Sequence, residues 1–283
     1  GVPSWEYSYE TTWDPSQDGV EGLSIRWAVG PVSVMPGEGP LITVTEYASR
    51  PLEEGERLAL SSSGGVLEVG WNGGLLPLGA LQDLEKRVEV KVPPELLSQL
   101  EELSCWNISG EVSVSGAFAQ ELSLSSLSGD LLLSGVSGGQ IQASTVSGNI
   151  QWAQGQAEEL SVKSTSGAVQ LVGMNAQECR LKTVTGPLAY QGAGSKFFGE
   201  SVTGSLRAQL TACPAEGELG SVQGDIFLTL PENNGFQARH SSVSGHFTSD
   251  FSGSGQGGGF LYKGGGPLLS FTTTSGDVRI ARG

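Results

Sequence analysis

Between Leu103 and Ile280 a short apolar strand, a corner dipeptide ending in Gly and a second apolar strand recur: NISGEV, SLSGDL, TVSGNI, STSGAV, TVTGPL, SVTGSL, SVQGDI, SVSGHF and TTSGDV. The glycines are Gly110, Gly129, Gly148, Gly167, Gly186, Gly204, Gly224, Gly245 and Gly276, at spacings of 19, 19, 19, 19, 18, 20, 21 and 31. A period of this size marks a stacked repeat. Aligned on that Gly, apolar residues concentrate seven, five and two positions before it and two and four after it. In the second unit these are Leu122, Leu124, Leu127, Leu131 and Leu133, and in the third Ile141, Ala143, Val146, Ile150 and Trp152. Over the nine units 39 of the 45 such positions are apolar against 37% for the whole chain, so the pattern exceeds composition. Spacing of two on either side of the Gly predicts two half-buried strands per unit, with the Gly at a corner that needs a positive φ or a tight bend. The register puts Leu124, Val162 and Ile226 in the core, with Ser125 and Lys163 outside.

Two polar columns accompany the apolar ones. Three before the Gly stand Asn107, Ser126, Thr145, Ser164, Thr183, Ser201, Ser221, Ser242 and Thr273; one before it stand Ser109, Ser128, Ser147, Ser166, Thr185, Thr203, Gln223, Ser244 and Ser275. Like residues at one place in every unit predict parallel, in-register coils, each hydroxyl bonding its copy in the next coil. A meander or propeller would alternate strand direction, and 19 residues fall short of a four-stranded blade. The expected fold is all-β: a parallel β-solenoid, β-helix-like, of roughly 19-residue two-strand coils with irregular N-terminal coils. Residues 1–92 are read as the cap and leading coils and 93–283 as regular repeats, continuous as one domain.

Before the repeats, LSIRWAV, VSV, LITVTEY, RLAL and VLEV alternate like strands but lack the Ser-Gly corner, and they are expected to form irregular first coils. Val88, Val90 and Val92 make a strand that Pro93 stops, with a helical turn from Pro94. The stretch Ser252 to Pro267, SGSGQGGGFLYKGGGP, is expected to be a mobile loop.

On these residues the chain resembles a known family. KRVEVKVPPELL leading into SCWNISGEVSVSG, then TVSGNI, SVQGDIFLTLPENNGF, SVSGHF and TTTSGDVRI are similar to the bacterial putative-adhesin family, β-strand-repeat proteins of unknown function, with the match best after Val88. The resemblance implies a β-solenoid beside a membrane-anchoring segment, and it brings no catalytic residues. The Gly-rich loop before Gly276 and Gln223 at a corner Ser/Thr position depart from the pattern.

Charge and chemistry narrow the function. With 30 acidic and 15 basic side chains the chain is a poor partner for nucleic acid or an anionic membrane surface. It has no run of 18 apolar residues, so membrane contact is expected only through an anchor absent from this chain, and Gly1, no natural initiator, suggests a processed or engineered end. Cys105, Cys179 and Cys213 show no paired spacing, and the first two occupy apolar columns as packing residues; no metal site or cofactor is indicated. His240 falls in an inward column and His246 at an outward corner, neither with a triad-like neighbour. Glu111, Asp130, Asn149, Asp225 and Asp277 follow corner glycines and read as turn formers, with a weak cation site at Glu111 and Asp130 as the alternative.

The candidate ligand-binding residues are aromatic. Trp5, Tyr7, Tyr9 and Trp13 alternate along one strand, either as a cap on the open end of the core or as a platform for sugar rings, and Phe260 and Tyr262 lie in the Gly-rich loop. No catalytic residue is assigned. The chain is therefore expected to be a non-enzymatic, extracytoplasmic adhesin or interaction scaffold at the cell surface, with a surface protein or glycan as partner. The alternatives are a glycan-binding module using the N-terminal aromatics and a polysaccharide-active solenoid enzyme.

Overall fold

The structure is a computed structural model that describes residues 5–72, 84–255 and 257–283, and the chain divides into two compact units, residues 1–148 and 149–283. Both are parallel β-solenoids. The first contains β1 (Tyr7–Trp13), the turn α1 (Pro15–Asp18), β2 (Gly22–Arg26), β3 (Val32–Pro36), β4 (Ile42–Ala48), β5 (Ala59–Ser63), β6 (Val66–Gly70) and β7 (Lys86–Val92). The turn α2 (Pro94–Leu97), β8 (Leu100–Asn107), β9 (Val112–Ser115), β10 (Phe118–Ser126), β11 (Leu131–Ser134) and β12 (Ser137–Thr145) follow. One parallel sheet runs β12–β10–β8–β2–β6 and the facing one β11–β9–β3–β7.

Chain order is not stack order in this unit. The β2–β3 coil lies directly against β8–β9, and β6–β7, later in the chain, sits on its far side. The chain leaves through β4 and β5 and returns through β6 and β7 to fill the gap, so β5 ends antiparallel on β6, β4 on β7 and β1 on β4. The leading run also obeys the repeat register more closely than its missing Ser-Gly suggests: Leu23, Ile25, Val32 and Val34 are all buried about Gly30.

The second unit contains β13 (Ile150–Ser164), β14 (Val169–Thr183), β15 (Leu188–Glu200), β16 (Leu206–Leu210), β17 (Glu216–Gly220) and β18 (Ile226–Leu230). Then come β19 (Phe236–Ser242), β20 (Phe247–Ser249), β21 (Gly259–Tyr262), β22 (Leu268–Thr273) and β23 (Val278–Arg282). The same inversion recurs: β22–β23 inserts between β17–β18 and β19–β20, and β21 pairs antiparallel with β19. The stretch expected as a mobile loop thus contributes a strand, because Phe260 and Tyr262 pack on the Phe236 ring at 5.8 and 5.4 Å between centroids.

The corner differs from the sequence reading in three linked ways. Leu124, Val162 and Ile226 are buried as expected, but the position two before the Gly points outward: Leu127 is 51% and Val146 46% exposed in the first unit, Val222 42% in the second. These residues shield one another along the stack, and Val243, with a neighbouring coil on one side only, rises to 85%. The third residue before the Gly points inward instead, completing an unbroken alternation. Its hydroxyl is needed there, because the corner turns the Gly carbonyl where water cannot reach it. Ser164 and Thr183 donate to the Gly167 and Gly186 carbonyls at 2.7 Å, Ser126, Ser201 and Ser221 donate likewise to Gly129, Gly204 and Gly224, and Asn107 reaches both Gly30 and Gly110. Hydroxyl-to-hydroxyl contact between coils occurs at Ser126–Thr145 (3.2 Å) and Thr273–Ser242 (2.9 Å), so the column is first a set of local caps.

Positive φ stays at the corner in Gly30 and Gly110 but not at the later corner glycines. It recurs six residues after the corner Gly, at Gly116, Gly135, Gln154, Gly173 and Gly192, where the chain bends between faces. The corner glycines are required by close approach: a Cβ on Gly129 would overlap the Gly110 carbonyl, and one on Gly148 that of Gly129. In the second unit the same overlap links Gly204 to Gly186, Gly224 to Gly204, Gly276 to Gly224 and Gly245 to Gly276, which retraces the inverted coil order.

One polar cluster sits inside the first unit. Lys86 is fully buried, its ammonium 2.5 Å from Glu46 Oε1, donating to the Glu56 and Asn72 carbonyls and lying 4.5 Å from the Trp71 ring centroid. Glu46 also accepts the Leu58 amide, and Trp27, in the column held elsewhere by Ser, Thr or Asn, donates its indole N–H to the Lys86 carbonyl at 2.8 Å. Burial pushes the Lys86 pKa down, and the hydrogen bond and charge of Glu46 oppose that shift.

Gly129→Ala is expected to destabilise by at least about 2 kcal/mol in denaturant titration, because neither of the two backbones it would separate can yield. Gly55→Ala, whose Cβ meets open space, is the control and should stay within about 0.5 kcal/mol. Lys86→Met should cost about 3 to 5 kcal/mol by stranding a buried carboxylate, and adding Glu46→Leu should recover part of that loss; an additive double variant would show that the pair is not coupled. Burial raises the Cys105 pKa to about 12, pushes Cys179 up as well, and raises half-buried Cys213 to about 11. A thiol titration of native protein should therefore label Cys213 alone, and slowly, with all three reacting after unfolding.

Candidate functional site

With the inward positions occupied by core and caps, ligand chemistry falls to the outward ones. In the second unit, strand period 2 points the residues six and four before each corner Gly away from the core. Register stacks them into rows: Ser161, Arg180, Phe198, Glu218 and Ser270 in one, Lys163, Lys182, Glu200, Gly220 and Thr272 in the next. All of these residues but Ser270 line a shallow cleft of about 480 Å³.

The cleft is electrostatically mixed. Arg180 lays its guanidinium 4.3 Å from the Phe198 ring centroid and donates through Nη2 to Glu178 at 2.8 Å, so its position is set by its own neighbours. Lys182 and Glu200 are 3.8 Å apart with both side chains more than half exposed, a weak pair in water. Lys163 has no ion-pair partner among the described residues and stands in register beside Lys182 on the adjacent coil. Residues 149–283 carry 10 acidic and 9 basic side chains, against 20 and 6 in residues 1–148, so local cations in this unit are not swamped by its own charge. The arrangement suits non-covalent recognition: cations for an anion, carboxylates for hydroxyl donors and an aromatic edge for apolar contact.

The residues singled out from sequence are distributed differently. Trp5 and Trp13 are half-buried and Tyr7 is exposed, on or beside β1. Tyr9 is engaged, accepting the Leu52 amide at 2.9 Å with the Arg57 guanidinium 4.5 Å over its ring. Tyr262 is buried and donates to Glu232 at 2.6 Å; that bond and the Asn233 amide lower the Glu232 pKa to about 2. Phe260, with Arg239, His240 and Ser254, lines a second cleft, of about 660 Å³, beside β19. His240 stacks on Phe247 at 4.1 Å as part of that terminal aromatic packing. The aromatics of Trp5 to Trp13 and those of Phe260 and Tyr262 belong to different units.

The residues after the corner glycines bridge coils. Asn149 accepts the Ala168 amide at 2.9 Å, Asp225 that of Asp277 at 2.9 Å and Asp277 that of His246 at 2.8 Å. Among the described residues no three His, Cys, Asp or Glu side chains gather as a metal site. Sequence reading missed the Lys163–Arg180–Lys182–Phe198 cluster because its members lie in three different repeats. The available signal was the outward columns of the same alignment.

None of the curated proteins matches the chain. Among solved structures, a putative adhesin from Bacteroides fragilis is similar at 10% identity over 99% of this chain and 100% of that one, with a TM-score of 0.47. A putative cell adhesion protein from Clostridium sporogenes is similar at 11% identity over 98% and 99%, with a TM-score of 0.28. The family described as Toastrack DUF4097 matches residues 70–281, three quarters of the chain and every corner glycine of the nine repeats. The chain belongs to the Toastrack family.

Proposed function

We propose that this protein is a non-enzymatic, adhesin-like interaction scaffold that works outside the cytoplasm at a bacterial cell surface, held there by an anchor outside this chain. The observation that carries this reading is how the two units use their strands. Terminal coils are covered by antiparallel strands, β5 and β4–β1 in the first unit and β21 in the second, which blunts the edges that would otherwise recruit further strands. What is left to offer a partner is the outward rows, rigidly spaced by the coil step of about 4.8 Å. The cleft beside Phe198 supports a binding role by offering Lys, Arg, Glu, Ser and Thr side chains for non-covalent contacts.

The test uses the full chain coupled to fluorescent beads and applied to bacterial and epithelial cell surfaces. Saturable, salt-sensitive attachment that free protein competes away is the expected result, with no product released from polysaccharide or peptide substrates over hours. Saturable turnover would replace the adhesin reading with an enzymatic one, and absence of attachment to every surface would remove it.

A further inference from the structure

We infer that the Lys163–Lys182 row beside Phe198 is a subsite for an acidic polysaccharide, one whose sugars carry carboxylates. This rests on the binding role proposed above and adds the ligand class. Two lysines in register on adjacent parallel coils repel each other and gain nothing from the fold. Lys163 has no ion-pair partner among the described residues, and the pair Lys182 makes with Glu200 is long and exposed, so both ammonium groups are free to meet an external anion. Arg180, its charge paired with Glu178, frames the cleft from a fixed position against the Phe198 ring and leaves the two lysines as the cations open to a ligand.

The rest of the lining selects among anions. Glu200 and Glu218 border the same cleft as the lysines, with Ser161 and Thr272 beside them. Carboxylates repel a bare polyanion such as polyphosphate, but they accept hydrogen bonds from sugar hydroxyls, and Phe198 offers apolar contact to a sugar's C–H face. A ligand that presents carboxylates and hydroxyls in alternation satisfies both sets of groups. The net charge of −15 on the chain works against unspecific attraction of polyanions, so binding of this kind must arise locally.

The experiment measures binding of oligogalacturonate to the immobilised full chain by biolayer interferometry, with neutral dextran and poly-glutamate of similar length as comparison probes. Oligogalacturonate should bind, more weakly as salt is raised, and both comparison probes should bind less. The double variant Lys163→Glu/Lys182→Glu should lower affinity by at least about tenfold, and Phe198→Ala should weaken it too, with the thermal midpoint of each variant confirming that it is folded. Parent-like binding by the folded double variant, equal binding of dextran, or equal binding of poly-glutamate would each overturn the subsite. Should the parent attach to cells yet ignore oligogalacturonate, this inference falls and the adhesin reading stands. Should it bind oligogalacturonate yet attach to no cell surface, the subsite stands and the adhesin reading falls.

Discussion

The fold depends on the approach of one corner to the next. From coil to coil the backbone passes so close to the neighbouring glycine carbonyl that no side chain fits, as at Gly129 over Gly110 and Gly224 over Gly204. That proximity turns a carbonyl inward, away from water, and an inward carbonyl needs a donor. At most corners the donor is the side chain three residues earlier, Ser126 for Gly129 and Ser221 for Gly224, while Thr145 and Ser242 accept the Gly148 and Gly245 amides instead. Glycine and hydroxyl are therefore one device. A larger residue at the first position would separate the coils, and an apolar one at the second would leave a buried acceptor unpaired, at about 1 to 3 kcal/mol per corner.

A stack of parallel coils must end somewhere, and both units end in the same way. Each sends a segment beyond its last regular coil, turns antiparallel strands onto the exposed edge, and returns a later segment to fill the place between. In the first unit the returning strand β7 brings Lys86 into the interior, where Glu46, two backbone carbonyls and two indole rings surround it. Glu46 lies on antiparallel β4 and the Glu56 carbonyl in the turn that follows, so this one ammonium ties the cap to the coil beneath it. In the second unit aromatic packing does the corresponding work, with Phe236 meeting Phe251, Phe260 and Tyr262. With those ends covered, the outward rows remain exposed, and there the parallel register sets Lys163 beside Lys182 and Arg180 beside Phe198.

The repeat, the parallel stacking and most of the core were legible in the chain because they depend on local periodicity. Leu124, Val162 and Ile226 follow from strand alternation alone. The outward turn at Leu127 and Val146 was not, because apolar residues there are stabilised by copies of themselves on neighbouring coils and so imitate a core column. Tyr9 and Tyr262 read as candidate ligand contacts in sequence; the structure adds that their hydroxyls are engaged by the Leu52 amide and Glu232. Residues 252–267 read as a mobile loop from their glycines, yet the apolar Phe260-Leu261-Tyr262 core of that stretch had a sheet edge to join.

What the sequence by itself determined is the coil: its length, its two faces, the invariable Gly at one corner and the hydroxyl beside it, since all of these answer to constraints within about twenty residues. What only the tertiary structure decided is which coil lies against which. No local pattern records that β22–β23 enters between β17–β18 and β19–β20, or that Gly30 abuts Gly110 across 80 residues of chain, because every coil offers the same edge and the choice among edges is made by the caps that cover them. The candidate site inherits that dependence. Lys163, Arg180, Lys182 and Phe198 are ordinary surface residues along the chain and become a cleft only when three coils bring them into register.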